Sequence, residues 1–146
     1  MIARLTVAVI VAATLAACGS STLSARQMRA GADRTCTRAG RRLDQIVTPT
    51  APAQGADFLR RGIATLSPEL TTLAALRPGS NSAPTYRRAE AATARELQAL
   101  ESALNQLRAG GDPVEAIRSL QRKLDPLEQR ASADWRGLGV PACATA

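Results

Sequence analysis

Apolar residues recur at spacings of three and four along most of the chain, the interval that gathers side chains on one face of an α-helix. Met28, Ala32, Cys36, Ala39, Leu43 and Ile46 form the first such face, and Leu59, Ile63, Leu66, Leu70 and Leu73 form a second. A third runs through Tyr86, Thr93, Leu97, Leu100, Leu104 and Leu107. The fourth comprises Ile117, Leu120, Leu124, Leu127, Ala131, Trp135 and Leu138. No stretch alternates with the period of two that a half-buried strand requires. The pattern predicts an all-α protein with four helical segments.

The breaks between the segments have local causes. Thr48-Pro49 stops the first, because proline disfavours the helical region in the residue before it, and Thr48–Gly55 reads as a linker. Pro78–Pro84 forms the next turn and Gly110-Gly111 the third. Asp112 is placed to cap the last helix, with Pro113 at its first position and Glu115 completing an analogue of the capping box. Pro68 and Pro126 fall inside apolar seams that continue on both sides, so a kink or a tight restart is expected at each. Short links force antiparallel neighbours, and the simplest arrangement is an up-down-up-down four-helix bundle. Its fourth helix ends beside the start of the first, and Gly137–Pro141 then leads Cys143 back along helix one toward Cys36.

Residues 1–17 differ in kind: a basic residue at Arg4, then an apolar run too short to remain as a membrane span. Leu15-Ala16-Ala17-Cys18 follows, with small residues directly before a cysteine. The stretch resembles the lipobox of bacterial lipoproteins, in which that cysteine is acylated and the peptide bond before it is cut. The resemblance implies a mature chain starting at Cys18, an 18–24 tether, a 25–146 helical domain, and a place on the extracytoplasmic side of the cell membrane, held by lipid. A secreted protein whose signal ends in a free cysteine is the other reading.

Once Cys18 is assigned to lipid, Cys36 and Cys143 remain, an even number in an oxidising compartment, which predicts a disulfide. A redox pair would need the Cys-x-x-Cys spacing, which they lack. The helical cysteine, the leucine-rich segments and the final Leu138-Gly139-Val140-Pro141-Ala142-Cys143 resemble small secreted proteins and lipoproteins of actinobacteria. Cys36, Pro78, Tyr86, Leu138, Gly139 and Cys143 are the matching positions. The resemblance implies a disulfide-tied helical fold and an envelope location, and it supplies no activity. Many relatives carry a second aromatic shortly after the tyrosine, whereas Arg87–Ala94 has none.

Charge and chemistry narrow the function. Setting Arg4 aside leaves eighteen basic side chains against twelve carboxylates. The surplus suits anionic headgroups, an acidic envelope polymer or an envelope protein. Nucleic acid is not an expected partner, because an exported chain does not meet the genome and the arginines look scattered along the helices. The sequence contains no histidine, which removes the commonest general base and metal ligand. Glu90, Glu96 and Glu101, with Arg87, Arg88 and Arg95 nearby, read as a solvated face. No catalytic residue, cofactor or metal site is expected. Tyr86 and Trp135 are expected in the core, or alternatively as an exposed pair bordering a ligand or partner surface. The favoured function is a non-enzymatic structural or interaction module, with a carrier or sensor of a small apolar or anionic ligand as the alternative, its groove opened at Pro68 and Pro126 and bordered by Tyr86 or Trp135.

Overall fold

A computed structural model describes residues 22–144, and the lipobox and most of the tether lie outside the described residues. The chain is an all-α protein of four packed helices, α1 (Ala25–Leu43), α2 (Gly55–Ala74), α3 (Ala83–Arg108) and α4 (Pro113–Gly137). Two short 3-10 turns, Pro52–Gln54 and Pro141–Cys143, complete it. Among the described residues no helix is long and apolar enough to cross a membrane.

Local chemistry accounts for the helix ends. Ser24 and Gln27 form a capping box, in which the Gln27 amide donates to Ser24 Oγ at 3.3 Å and the Ser24 amide donates to Gln27 Oε1 at 3.0 Å. Asp112 caps α4 by accepting from the Glu115 amide at 2.8 Å, as expected. The reciprocal half of the box is missing. Arg122 and Arg118 take the Glu115 carboxylate at 2.9 and 2.8 Å and hold it below the usual carboxylate range. At the other end of α4, Gly139 adopts φ 74°, a left-handed value that suits glycine. The Val140 amide then donates to the Trp135 carbonyl at 2.9 Å, closing the helix and turning the tail inward.

Both interior prolines sit within unbroken helices. α2 continues past Pro68 and α4 past Pro126, each lacking the hydrogen bond that a proline nitrogen cannot donate. Beyond Pro68, Thr71 and Thr72 hydroxyls donate back to the Ser67 and Pro68 carbonyls at 3.1 and 2.9 Å. Ser67 and Pro68 thus lie inside one continuous helix.

The helices surround two apolar clusters, one toward each end of the bundle. The first joins Met28, Ala32 and Cys36 of α1 to Leu73, Tyr86, Ala89, Trp135 and the tail residues Val140 and Cys143. The second is built by Leu59, Ala99, Ala103, Leu104 and Leu120, all from α2, α3 and α4. α1 thus closes only one end. The principal helix interfaces are α3 with α4, α2 with α3, and α1 with α2. Where a simple ring would close α1 directly on α4, the Pro141–Cys143 turn packs against both helices. The Ser132 hydroxyl on α4 donates to the Ala144 carbonyl at 2.6 Å and holds the tail in that slot.

The expected disulfide is present, with Cys36 and Cys143 107 residues apart and their Cα atoms separated by 5.0 Å. Leu23, assigned from sequence to the tether, instead belongs to the folded domain. Its amide donates to the Arg77 carbonyl at 2.7 Å, and its carbonyl accepts from the Gly79 amide at 3.2 Å. The N-terminal end of the domain is thereby pinned to the α2–α3 turn.

Candidate functional site

The end of the bundle that α1 does not cover carries a groove of about 600 Å³. One wall is the linker, which turns through Pro52–Gln54 and is held by the Thr50 amide donating to Gln54 Oε1 at 2.8 Å. The other wall is the first two turns of α4, with Pro113, Val114 and Ile117 facing the groove and Arg118 also lining it. Phe58, the sole phenylalanine, and Gly55 complete it from α2. Val114 is 54% exposed, and Val47, one residue before the linker wall, is 79% exposed. These are the large hydrophobic side chains that the described fold leaves open to solvent. Val114 lies in the groove wall, beside Pro113, Ile117 and Phe58, and adds exposed apolar surface there.

A second, smaller space lies inside the bundle. It measures about 70 Å³ and is bordered by the Cys36–Cys143 bridge, Leu70, Leu97 and Trp135, with two carboxylates on its wall, Glu69 and Glu96. Glu69 Oε1 accepts from Arg42 Nη1 at 3.1 Å, bringing α1 and α2 together. Glu69 Oε2 and Glu96 Oε1 are buried with no hydrogen-bond partner. Burial, with the nearby negative charge of Glu128 adding to it, pushes the Glu96 carboxyl up to about 7.

The reading of Glu96 as part of a solvated face is therefore corrected. The residue stands half-buried between α2 and α4, and Arg95 beside it in sequence gave the wrong impression of its face. Because its folded pKa is raised above the ordinary 4.5, Glu96 contributes most favourably below that value and loses the contribution as pH rises through about 7. Glu96→Gln is accordingly expected to raise the melting temperature at pH 8 and leave it unchanged or lower at pH 4. Thermal unfolding of both proteins across that interval checks the sign; a variant less stable than the parent at pH 8 contradicts it.

Tyr86 and Trp135 come together in the core, not on the surface. They are 1% and 0% exposed, and their rings meet edge to face at 5.4 Å. The Tyr86 hydroxyl donates to the Leu73 carbonyl at 2.8 Å, and the Trp135 indole donates to Thr93 Oγ1 at 3.3 Å. Burial, reinforced by Glu90, drives the Tyr86 phenol far above its usual range. The exposed-pair alternative is thus corrected, and Trp135 borders the small internal space. Cys18 lies outside the described residues.

Among the described residues no three His, Cys, Asp or Glu side chains gather as a metal site. The groove is lined mainly by apolar side chains, with Thr48, Thr50, Arg118 and Gln121 as its polar members, an arrangement suited to recognition by shape and desolvation. Sequence reading passed over it because Phe58 stands alone and the linker's path is set by contacts distant in sequence. Comparison with known proteins finds no matching family, no matching curated protein and no matching solved structure.

Proposed function

We propose that the protein is a lipid-anchored, non-catalytic interaction module of the cell envelope, attached through acylated Cys18 and binding a short apolar segment of a partner protein in the linker–α4 groove. The groove's position carries this reading. The described chain begins where α1, the end of α2 and the start of α3 meet, whereas the groove sits at the opposite end, beside the starts of α2 and α4. An anchor at the N-terminal end leaves that groove clear of the attachment point. Its size also falls in the range of small-molecule sites, about 300 to 1,000 Å³, which supports a carrier of an apolar ligand as the second reading. The space beside Pro68, by contrast, closes to about 70 Å³. The likeness to small actinobacterial lipoproteins is consistent with the proposed location.

Two measurements test the proposal. Cys18→Ala is expected to abolish acyl labelling and leave the precursor unprocessed; unchanged labelling and maturation reject the anchor. A photo-crosslinking residue at Val114 is expected to capture one protein in living cells, with capture lost when Thr50→Arg fills the groove. Capture of a lipid or metabolite alone selects the carrier, and capture insensitive to the filled groove rejects both.

A further inference from the structure

The positive charge of the domain is concentrated on one helix. α1 carries Arg26, Arg29, Arg34, Arg38, Arg41 and Arg42 against Asp33 alone, while the rest of the chain after residue 17 balances twelve bases with eleven carboxylates. The arginines are therefore not scattered, as the sequence pattern suggested. At helical spacing, Arg26, Arg34, Arg38 and Arg41 share the side of α1 opposite the buried Met28, Ala32, Cys36 and Ala39. All four are exposed. None of the four forms an ion pair among the described residues, whereas Arg42, at the edge of the stripe, pairs with Glu69. The stripe extends about 22 Å along the helix.

Its position in the chain selects the partner. Leu23 is fixed to the α2–α3 turn, and it lies five residues from Cys18, a reach of at most about 18 Å. α1 begins two residues later. The potential of an anionic leaflet decays over a screening length of about 8 Å at physiological salt, and a lead of at most about 18 Å lets the helix lie down within that distance of the surface. Arginine also matches a phosphate diester with paired N–H donors, which a more diffuse acidic polymer does not require.

We infer that the outer face of α1 docks on the anionic phospholipid headgroups of the membrane to which Cys18 is tethered, an inference that rests on the proposed anchoring. The disulfide and the Arg42–Glu69 pair fix α1 to the bundle, so the four guanidinium groups meet the surface as a preordered row. Each is expected to strengthen the contact roughly fivefold where it reaches the headgroups.

The test uses the mature, lipid-bearing protein inserted into vesicles of phosphatidylcholine alone or with phosphatidylglycerol. Modification by a guanidinium-directed reagent is followed residue by residue with mass spectrometry. Arg34, Arg38 and Arg41 are expected to react at least about fivefold more slowly on the anionic vesicles. Arg118 and Arg122, at the groove end, are expected to react equally on both. Protection is expected to disappear in about 0.5 M salt, where screening shortens to a few ångström. The exposed triple change Arg34→Gln, Arg38→Gln and Arg41→Gln is expected to abolish the remaining protection of Arg26. Equal reactivity on the two vesicle types overturns the inference, as does protection that appears only with an added soluble polyanion. Flotation separates the two readings: failure to float with phosphatidylcholine rejects the anchor alone, while salt-sensitive flotation with anionic vesicles still supports the stripe. Failure to float with either vesicle overturns the docking inference as well.

Discussion

Replacing Cys36 and Cys143 together with alanine is expected to reduce the free energy of unfolding by about 4 kcal/mol, a large share of what a domain of this size possesses. The bridge spans 107 residues, and closing so long a loop restricts the unfolded chain strongly. The native state gives it further weight, because α1 reaches the tail through this bond and has the tail, not α4, as its neighbour on that side. Denaturant titration of both proteins measures the loss. Hydrogen exchange should show it first in α1, where Met28–Ala39 lose protection before the α3–α4 interface does. A loss under about 1 kcal/mol would mean that α1 is held by packing alone.

Truncating Trp135 to alanine is expected to cost about 4 kcal/mol, comparable to removing the bridge. Trp135 is the largest of the fully buried side chains, and the first apolar cluster packs around it from α1, α3 and the tail. Deletion removes the edge-to-face contact with Tyr86 and the hydrogen bond to Thr93, besides opening a cavity. Tyr86→Phe provides a graded comparison. It should cost only about 0.5–1 kcal/mol, because the Leu73 carbonyl keeps the Leu76 amide as a donor at 3.0 Å after the phenol is gone. Equal losses for the two variants would indicate that the hydroxyl, not the ring packing, secures the cluster. The two large effects fall in one cluster and are not expected to add.

Much of the fold was legible because leucine at helical spacing is unambiguous. Leu59, Leu73, Leu97, Leu104 and Leu120 all point inward as the seams require. Asp112 and the two cysteines were equally readable, since capping and oxidation depend on chemistry that residue type declares. Alanine declares nothing. Ala89, Ala92, Ala99, Ala103 and Ala116 are buried outside the apolar faces drawn from the sequence, because alanine is tolerated on either face of a helix and so marks neither. A seam drawn through leucine alone therefore misses the side on which α3 meets its neighbours most closely. Glu69 is the opposite case: a carboxylate 5% exposed, whose burial depends on Arg42, 27 positions earlier. The groove was hidden for a related reason, because its walls are separated by most of α2 and all of α3.

The bridge between α1 and the tail also settles how the protein would carry a mechanical load. Under the proposed anchoring at Cys18 and the proposed partner against Val114 and Ile117, tension would enter at one end of the bundle and leave at the other. It can unwind at most the segment from Ser24 to Cys36, about 40 Å of extended chain, before it meets a covalent ring. From Cys36 the shorter route crosses to Cys143 and runs back along α4 to the groove, parallel to the helix axis. The linker on the opposite branch stays slack, so the wall that it contributes to the groove keeps its shape while the molecule is pulled.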